Sequence, residues 1–140
     1  MINIGAFKAH LKWAEAVRQY PYRCSADKLT IGVGRNLDDV GLSMDEVDYL
    51  LGNDITRVLA ECGTLDYWGS LDPVRQLIVA DMVFNLGISR FLQFKKMNAA
   101  LAIQDYTLAA HEMKDSKWYR QVGRRAVKLH KAMISGEWNE

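Results

Sequence analysis

Apolar residues recur three and four apart from Ile4 through Phe7, Leu11 and Ala14 to Val17, which predicts an amphipathic helix over residues 3–17. The period then changes. Tyr20, Tyr22, Leu29, Thr30, Ile31 and Val33 favour extended backbone, and the polar run Ser25–Lys28 reads as a turn, so residues 19–34 are expected to form a small hairpin. Pro21 suits an edge strand. Gly32 and Gly34 permit a sharp bend or a close approach of the backbone to another group. After a loop from Leu37, Ser43 and Glu46 have the spacing of a capping box and open a second helix. Its apolar positions are Val47, Leu50, Leu51, Ile55, Val58 and Leu59, and Gly63 ends it.

Asp72 and Pro73 supply an N-cap and first turn. The helix from there to Leu86 is apolar nearly all round, the pattern of a central buried helix, and Gly87 closes it. Further helices are expected over Arg90–Ala102, Tyr106–Met113, a short stretch starting at Ser116, and Arg124–Ile134, stopped by Gly136. No repeat, low-complexity run or linker interrupts the chain. The fold class is therefore α+β and mainly helical. One domain over residues 1–140 is expected, with a hairpin lobe at about 14–42 and a helical lobe at about 60–140 that also takes the N-terminal helix. The second helix would bridge the lobes, and a cleft between them is the natural place for a ligand.

Composition changes this picture little. The chain has 140 residues, 18 basic and 17 acidic, for a net charge of +1, so no general attraction to polyanions is indicated. The distribution is less even: Lys114, Lys117, Arg120, Arg124, Arg125, Lys128 and Lys131 lie in one stretch that holds a single acid, Asp115. Such a run is ordinarily a solvated helix face; its functional reading is attraction to an anionic surface such as a bacterial envelope. No nucleic-acid reading motif accompanies it. The two cysteines, Cys24 and Cys62, make no disulfide framework, and free thiols are expected. No apolar run reaches the length of a membrane span, and the first ten residues lack the apolar centre of a signal peptide, so a soluble cytoplasmic product is expected. His10, His111 and His130 have no metal-ligand spacing.

Candidate chemistry concentrates in one stretch. Glu15 lies near the end of the first helix, where the helix dipole opposes a carboxylate and favours the neutral form that a general acid requires. Cys24 and Thr30 would lie across from each other in the hairpin. Each residue also has a plain structural reading: a solvated charge, a small buried apolar side chain and an ordinary strand residue. Asp81 and Asn85, four apart on the otherwise apolar central helix, share a face. They either bond to each other or to backbone, or face a cleft and hold a polar ligand.

The order Glu15, eight residues, Cys24, five residues, Thr30, then Ile31-Gly-Val-Gly34 resembles the active-site stretch of phage-type lysozymes, glycoside hydrolase family 24. Ser70–Gly87 resembles that family's central helix and Asp115–Trp138 its C-terminal pair of helices, so three segments match in order over nearly the whole chain. The resemblance implies a lysozyme-like fold. Its expected activity is that of an endolysin muramidase, hydrolysing the β-1,4 bond between N-acetylmuramic acid and N-acetylglucosamine of peptidoglycan. It would work as a monomer without cofactor or metal, made in the host cytoplasm and released to the wall at lysis.

By the same resemblance Glu15 is the proton donor and Thr30 helps to position water. Phe84 and Asn85 line the cleft beside the sugar, and Arg125 orients Glu15. Trp118 is expected in the core rather than under a sugar. The position of Cys24 mostly carries Asp in the family, with Cys in some members; a working thiolate or a passive bystander is expected before a dead site. Two further departures are Ala16, in place of the usual Gly and expected to be accommodated as a helical residue, and Arg35, in place of a frequent His and expected to pair with Asp54. The rival readings are a lytic transglycosylase driven by Glu15 alone, a wall-binding or structural protein without turnover, and, more weakly, a nucleic-acid binder.

Overall fold

A computed structural model describes residues 1–139. The chain divides into two compact units, Met1–Leu50 and Leu51–Glu140. Among the described residues there are eight α-helices, and one antiparallel sheet in which three strands follow one another in sequence order. No helix among them is long and apolar enough to cross a membrane.

The first unit opens with α1 (Ile4–Glu15), capped by Asn3, whose side chain accepts from Ala6 N–H at 3.0 Å. The sheet follows: β1 (Arg18–Arg23), β2 (Leu29–Gly32) and β3 (Arg35–Asn36). As its proline requires, β1 is an edge strand, and its register against β2 shifts between Arg18, opposite Gly32, and Tyr22, opposite Thr30. Pro21 falls inside that irregularity, where its missing N–H breaks no regular ladder. The β1–β2 turn is closed by Asp27 N–H to Cys24 C=O at 2.8 Å and Cys24 N–H to Lys28 C=O at 3.0 Å. Asp27 takes a left-handed conformation there (φ 61°), one that Asp tolerates better than most residues.

The capping box is present at the start of α2 (Met44–Cys62). Ser43 N–H donates to Glu46 Oε1 at 2.8 Å, and Glu46 N–H donates to Ser43 Oγ at 3.2 Å. Arg35 does not pair with Asp54 as expected. Its guanidinium forks onto Glu46, Nη1 to Oε1 at 2.8 Å and Nη2 to Oε2 at 2.7 Å, and also donates to Gly41 C=O at 3.0 Å. Asp54 lies two turns further along α2, about 12 Å at helical rise, and is taken by Arg57 at 2.9 Å. The capping-box carboxylate is the acid that already stands at the helix entrance, beside β3.

The second unit is helical. Its core gathers around α3 (Pro73–Leu86), which contributes Ile78, Val79, Met82 and Val83. Asp72 caps α3 by accepting from Arg75 N–H, and Gly87 ends it. The helix expected over Arg90–Ala102 is instead two, α4 (Ile88–Leu92) and α5 (Lys95–Ala102). The amide of Asn98 donates to the carbonyls of Phe91 (3.1 Å) and Phe94 (2.9 Å), adding a side-chain bond to two carbonyls that also accept from the Phe94 and Asn98 backbone N–H groups across the break. No Gly or Pro marks this break in the sequence. The remaining helices are α6 (Tyr106–Lys114), α7 (Lys117–Val122, capped by Ser116) and α8 (Arg124–Ser135, ended by Gly136 in the left-handed conformation). Cys62 is buried and Cys24 partly so, and both are free thiols, as expected.

One largely buried side chain ties the two ends of this unit together. Arg75, on the first turn of α3, donates to the last carbonyls of α8: Nη2 to Met133 O at 2.7 Å, Nε to Met133 O at 3.1 Å and Nη2 to Ile134 O at 3.2 Å. The Tyr106 ring lies under its guanidinium at 4.1 Å.

The Arg35–Glu46 fork gives the first unit a pH signature. It holds the Glu46 carboxyl down at about 2, with the Ser43 backbone N–H contributing next. A depressed folded-state value means that the stabilisation is complete above the unfolded carboxyl's ordinary range, near 4.3, and is lost as pH falls from there through about 2. Arg35→Ala should therefore lower the melting temperature at pH 7, with the difference from wild type shrinking across that acid window. A difference independent of pH would show that the ion pair is not its source.

Candidate active site

Glu15 is the last residue of α1, and its exposed side chain lies against Gly34: a β-carbon built on Gly34 would stand 3.0 Å from Glu15 Oε2 and 3.3 Å from its carboxyl carbon. Gly34 also has φ 70°, so two independent requirements, backbone sign and lack of a side chain, select glycine here. The close approach anticipated for the Gly32–Gly34 turn is thus made to the Glu15 carboxylate.

Ala16 corrects an expectation. It lies outside α1, at its C-cap, with φ 64° and ψ 162°. This region is essentially reserved for glycine, so a residue expected to sit comfortably in a helix is strained instead. Ala16 is held there where α1 ends at Glu15 and the chain turns into β1.

Thr30 is 3% exposed, the one buried polar side chain among the described residues. Its hydroxyl donates to Lys28 C=O at 2.8 Å, which spends its single hydrogen and leaves its lone pairs as acceptors. Cys24 is partly buried just past the end of β1. Thr30 pairs directly with Tyr22, so Cys24 is its diagonal neighbour, not its opposite. The thiol is nevertheless drawn into the turn. Backbone hydrogen bonds from Lys28 and then Ala26 lower its pKa from the ordinary thiol value against a smaller opposing effect of burial. Hydrogen bonds to the charged form favour it, so this hairpin turn stabilises a thiolate. Cys62 is the opposite case, pushed up to about 11 by burial.

The other three candidates belong to the second unit. Phe84 lies on the wall of an apolar pocket of about 510 Å³ that Leu51, Ile55, Leu59 and Leu77 help to form, with Asp81 and Arg125 at its polar end. Arg125 Nε donates to Asp81 Oδ1 at 2.8 Å. Asn85 is exposed, and its Oδ1 accepts from the indole N–H of buried Trp118 at 3.0 Å. Asp81 and Asn85 therefore each take a partner from another helix and do not bond to each other. Trp118 belongs to the core, as expected. The Asn85 Oδ1 is fixed by this bond, and among the described residues no protein acceptor takes its amide hydrogens. Asp81 is the site-side residue that the sequence flagged without a role; its partner comes from α8, which no local spacing indicates.

The profile of the phage lysozyme family matches residues 12–132, and the chain belongs to that family. Two curated relatives from Dictyostelium discoideum are similar to it. Probable T4-type lysozyme 1 is 30% identical over 70 residues, half of this chain and 41% of the relative. Probable T4-type lysozyme 2 is 30% identical over 73 residues, 52% of this chain and 43% of the relative. The chain thus spans less than half the length of these relatives.

Two outcomes test the local geometry. Ala16→Gly should stabilise the protein by about 1 kcal/mol, as relief of roughly 1–3 kcal/mol of backbone strain is partly offset by the added freedom of the unfolded chain; a loss of stability in urea titration contradicts the strained assignment. In native protein, iodoacetamide should alkylate Cys24 with a pH midpoint below that of a free cysteine and leave Cys62 unmodified. Equal labelling of both thiols is the contrary result.

Proposed function

We propose that this chain is a muramidase that hydrolyses the β-1,4 bond between N-acetylmuramic acid and N-acetylglucosamine in bacterial peptidoglycan. We take its biological role to be that of an endolysin, made in the host cytoplasm as a monomer and acting on the wall at lysis. The observation that carries the reading is that one small unit presents a carboxylic acid at a helix end, fixed on Gly34, together with a thiol acidified by its turn beside Thr30. Membership of the phage lysozyme family supports it.

In this reading Glu15 gives its proton to the glycosidic oxygen. The C1–O bond breaks as charge develops on the sugar ring. Thr30 accepts a hydrogen bond from the incoming water, since its own hydrogen is committed to Lys28. The Cys24 thiolate takes the proton that water gives up. Phe84 offers an apolar face to a sugar, the amide hydrogens of Asn85 reach an acetamido or hydroxyl oxygen, and Arg125, held by Asp81, adds a hydrogen-bond donor beside them. Peptidoglycan is the partner, and no metal or cofactor enters these steps.

Product analysis by mass spectrometry tests the proposal. Wild type should release fragments with reducing muramic acid ends, and Glu15→Gln should release none. Anhydro ends, one water lighter, would replace hydrolysis by transglycosylation; no soluble product from folded wild type would leave a wall-binding protein. Cys24→Ser should lose a factor of about 10²–10⁴, the usual worth of a positioned base. Cys24→Asp should stay active with the acid limb of its pH profile displaced downward by at least about one unit, because a carboxyl ionises far below a thiol. An unchanged profile would remove Cys24 from the proton path.

A further inference from the structure

We propose that Arg18 is a specificity-determining residue for the muramidase reaction, its guanidinium donating to the lactyl carboxyl group that distinguishes muramic acid from glucosamine. The inference rests on the function proposed above and adds a substrate group that none of the residues assigned so far recognises. Arg18 opens β1 and stands opposite Gly32, as Tyr22 stands opposite Thr30. Directly opposed strand residues project from the same face, and Thr30 and Gly32 are two apart, so Arg18, Tyr22 and Thr30 share one face of the sheet. The contact between the first two fits this: the Arg18 guanidinium carbon lies over the Tyr22 ring, 4.9 Å from its centroid. Arg23, opposite Leu29, projects from the other face.

From Arg18 to Asn36 the sheet and its turns carry four basic residues, Arg18, Arg23, Lys28 and Arg35. Three are matched with acids: Arg23 with Asp38 at 3.6 Å, Lys28 with Asp39 at 3.2 Å and Arg35 with Glu46 at 2.7 Å. Arg18 forms no ion pair among the described residues. Its side chain is exposed, yet the ring beneath it restrains the end of a long side chain that water alone would leave mobile. Tyr22 is the one partly buried residue of β1, so the sheet holds the platform in turn. A guanidinium offers five N–H donors in a planar fork that matches a carboxylate. Here that fork is placed and unmatched, on the same face as the buried Thr30 hydroxyl.

The position selects the ligand. In the proposed reaction the bond that breaks lies at C1 of muramic acid. The lactyl ether of that sugar is on C3, in the same ring as the reacting carbon, where N-acetylglucosamine has only a hydroxyl. A cation on the face of the residue that holds the incoming water is therefore within reach of the lactyl group of the sugar being cut. A charged acceptor binds a guanidinium more strongly than a hydroxyl does, so Arg18 favours the sugar that bears the carboxyl. In the intact wall this carboxyl carries the first peptide amide, and its carbonyl oxygen still accepts. Peptide-free strands present the full carboxylate, and the interaction is strongest there.

Kinetics of the full chain on two forms of one substrate test this: peptide-free glycan strands with free lactyl carboxylates, and the same strands with those groups converted to methylamides. Release of reducing ends gives kcat and KM for each. Wild type should show a KM about tenfold lower on the carboxylate form, the worth of one charge-assisted hydrogen bond at an exposed site, and the difference should shrink as salt rises. R18Q should abolish the difference by raising KM on the carboxylate form alone, with kcat within about twofold of wild type. Y22F keeps the ring and should keep the preference; Y22L should lose part of it. R23Q removes the same charge from the other face of the same strand and should keep the preference whole. Arg18 and Arg23 are exposed, and circular dichroism checks that every variant folds. A wild type that cuts both forms equally well, an R18Q variant that still discriminates, or an equal loss in R23Q would overturn the role of Arg18 and leave the muramidase reading standing. A folded wild type that cuts neither form would overturn both.

Discussion

The N-terminal unit depends on where α1 stops. Helix propagation is cooperative, and nothing in the residues after Glu15 forbids another turn as a proline would. The stop falls instead at Ala16, held at φ 64° and ψ 162° by the turn into β1. One residue later, Glu15 would lie inside a helix with its neighbours' side chains around it; one residue earlier, it would lie in the connection to β1. Ended here, α1 leaves the carboxyl at its negative pole and against Gly34, whose missing side chain supplies the space. Strain of this kind persists only where the surroundings over-determine it. The surroundings here are a sheet pinned at its far end by the Arg35–Glu46 fork and the Ser43 capping box.

The helical unit solves a different problem. Its central helix is too apolar to stand without neighbours, and α8 is amphipathic with a polar face that repels itself. Arg75 joins them by supplying to the carbonyl end of α8 the positive charge that its own sequence places at the other pole. The arrangement explains Gly136: a β-carbon there would come within 2.4 Å of the Arg75 guanidinium. The sequence marks Gly136 as a helix stop, and its left-handed φ of 73° favours glycine there. Contact with a side chain from 61 positions earlier adds a second reason.

Periodicity and capping chemistry make most elements legible from sequence. Ser43, Asp72 and Ser116 each cap the helix that their side chains announce. What stays hidden depends on partners distant in sequence or on backbone sign. The break between α4 and α5 is held by Asn98, which looks like any other polar residue of a helix. Arg35 has several acids within reach of its number, and only the geometry of the helix entrance selects Glu46. Ala16 reads as helical because alanine is the best helix former, and its conformation is fixed by what the chain does next. At the candidate site the chemistry of Glu15, Cys24 and Thr30 is legible by resemblance, whereas the hold of the turn on the thiol is not, since it comes from backbone N–H groups that every sequence possesses.

That last point bears on how a thiol can stand where a carboxylate is usual. An aspartate is ionised at neutral pH without help, so its surroundings need only orient it. A thiol is mostly protonated there, and its surroundings must favour the charge as well. The nearest basic side chain in sequence, Arg23, is no direct source of this help, because neighbours along a strand point to opposite faces. The hairpin turn provides it through the Lys28 and Ala26 backbone, dipoles that are fixed by the turn itself and cannot be mutated away singly. The same turn engages Thr30, whose hydrogen is already given to Lys28. Exchange of Asp for Cys at this position therefore asks little of the rest of the chain: the turn closure that shapes the hairpin also favours the thiolate.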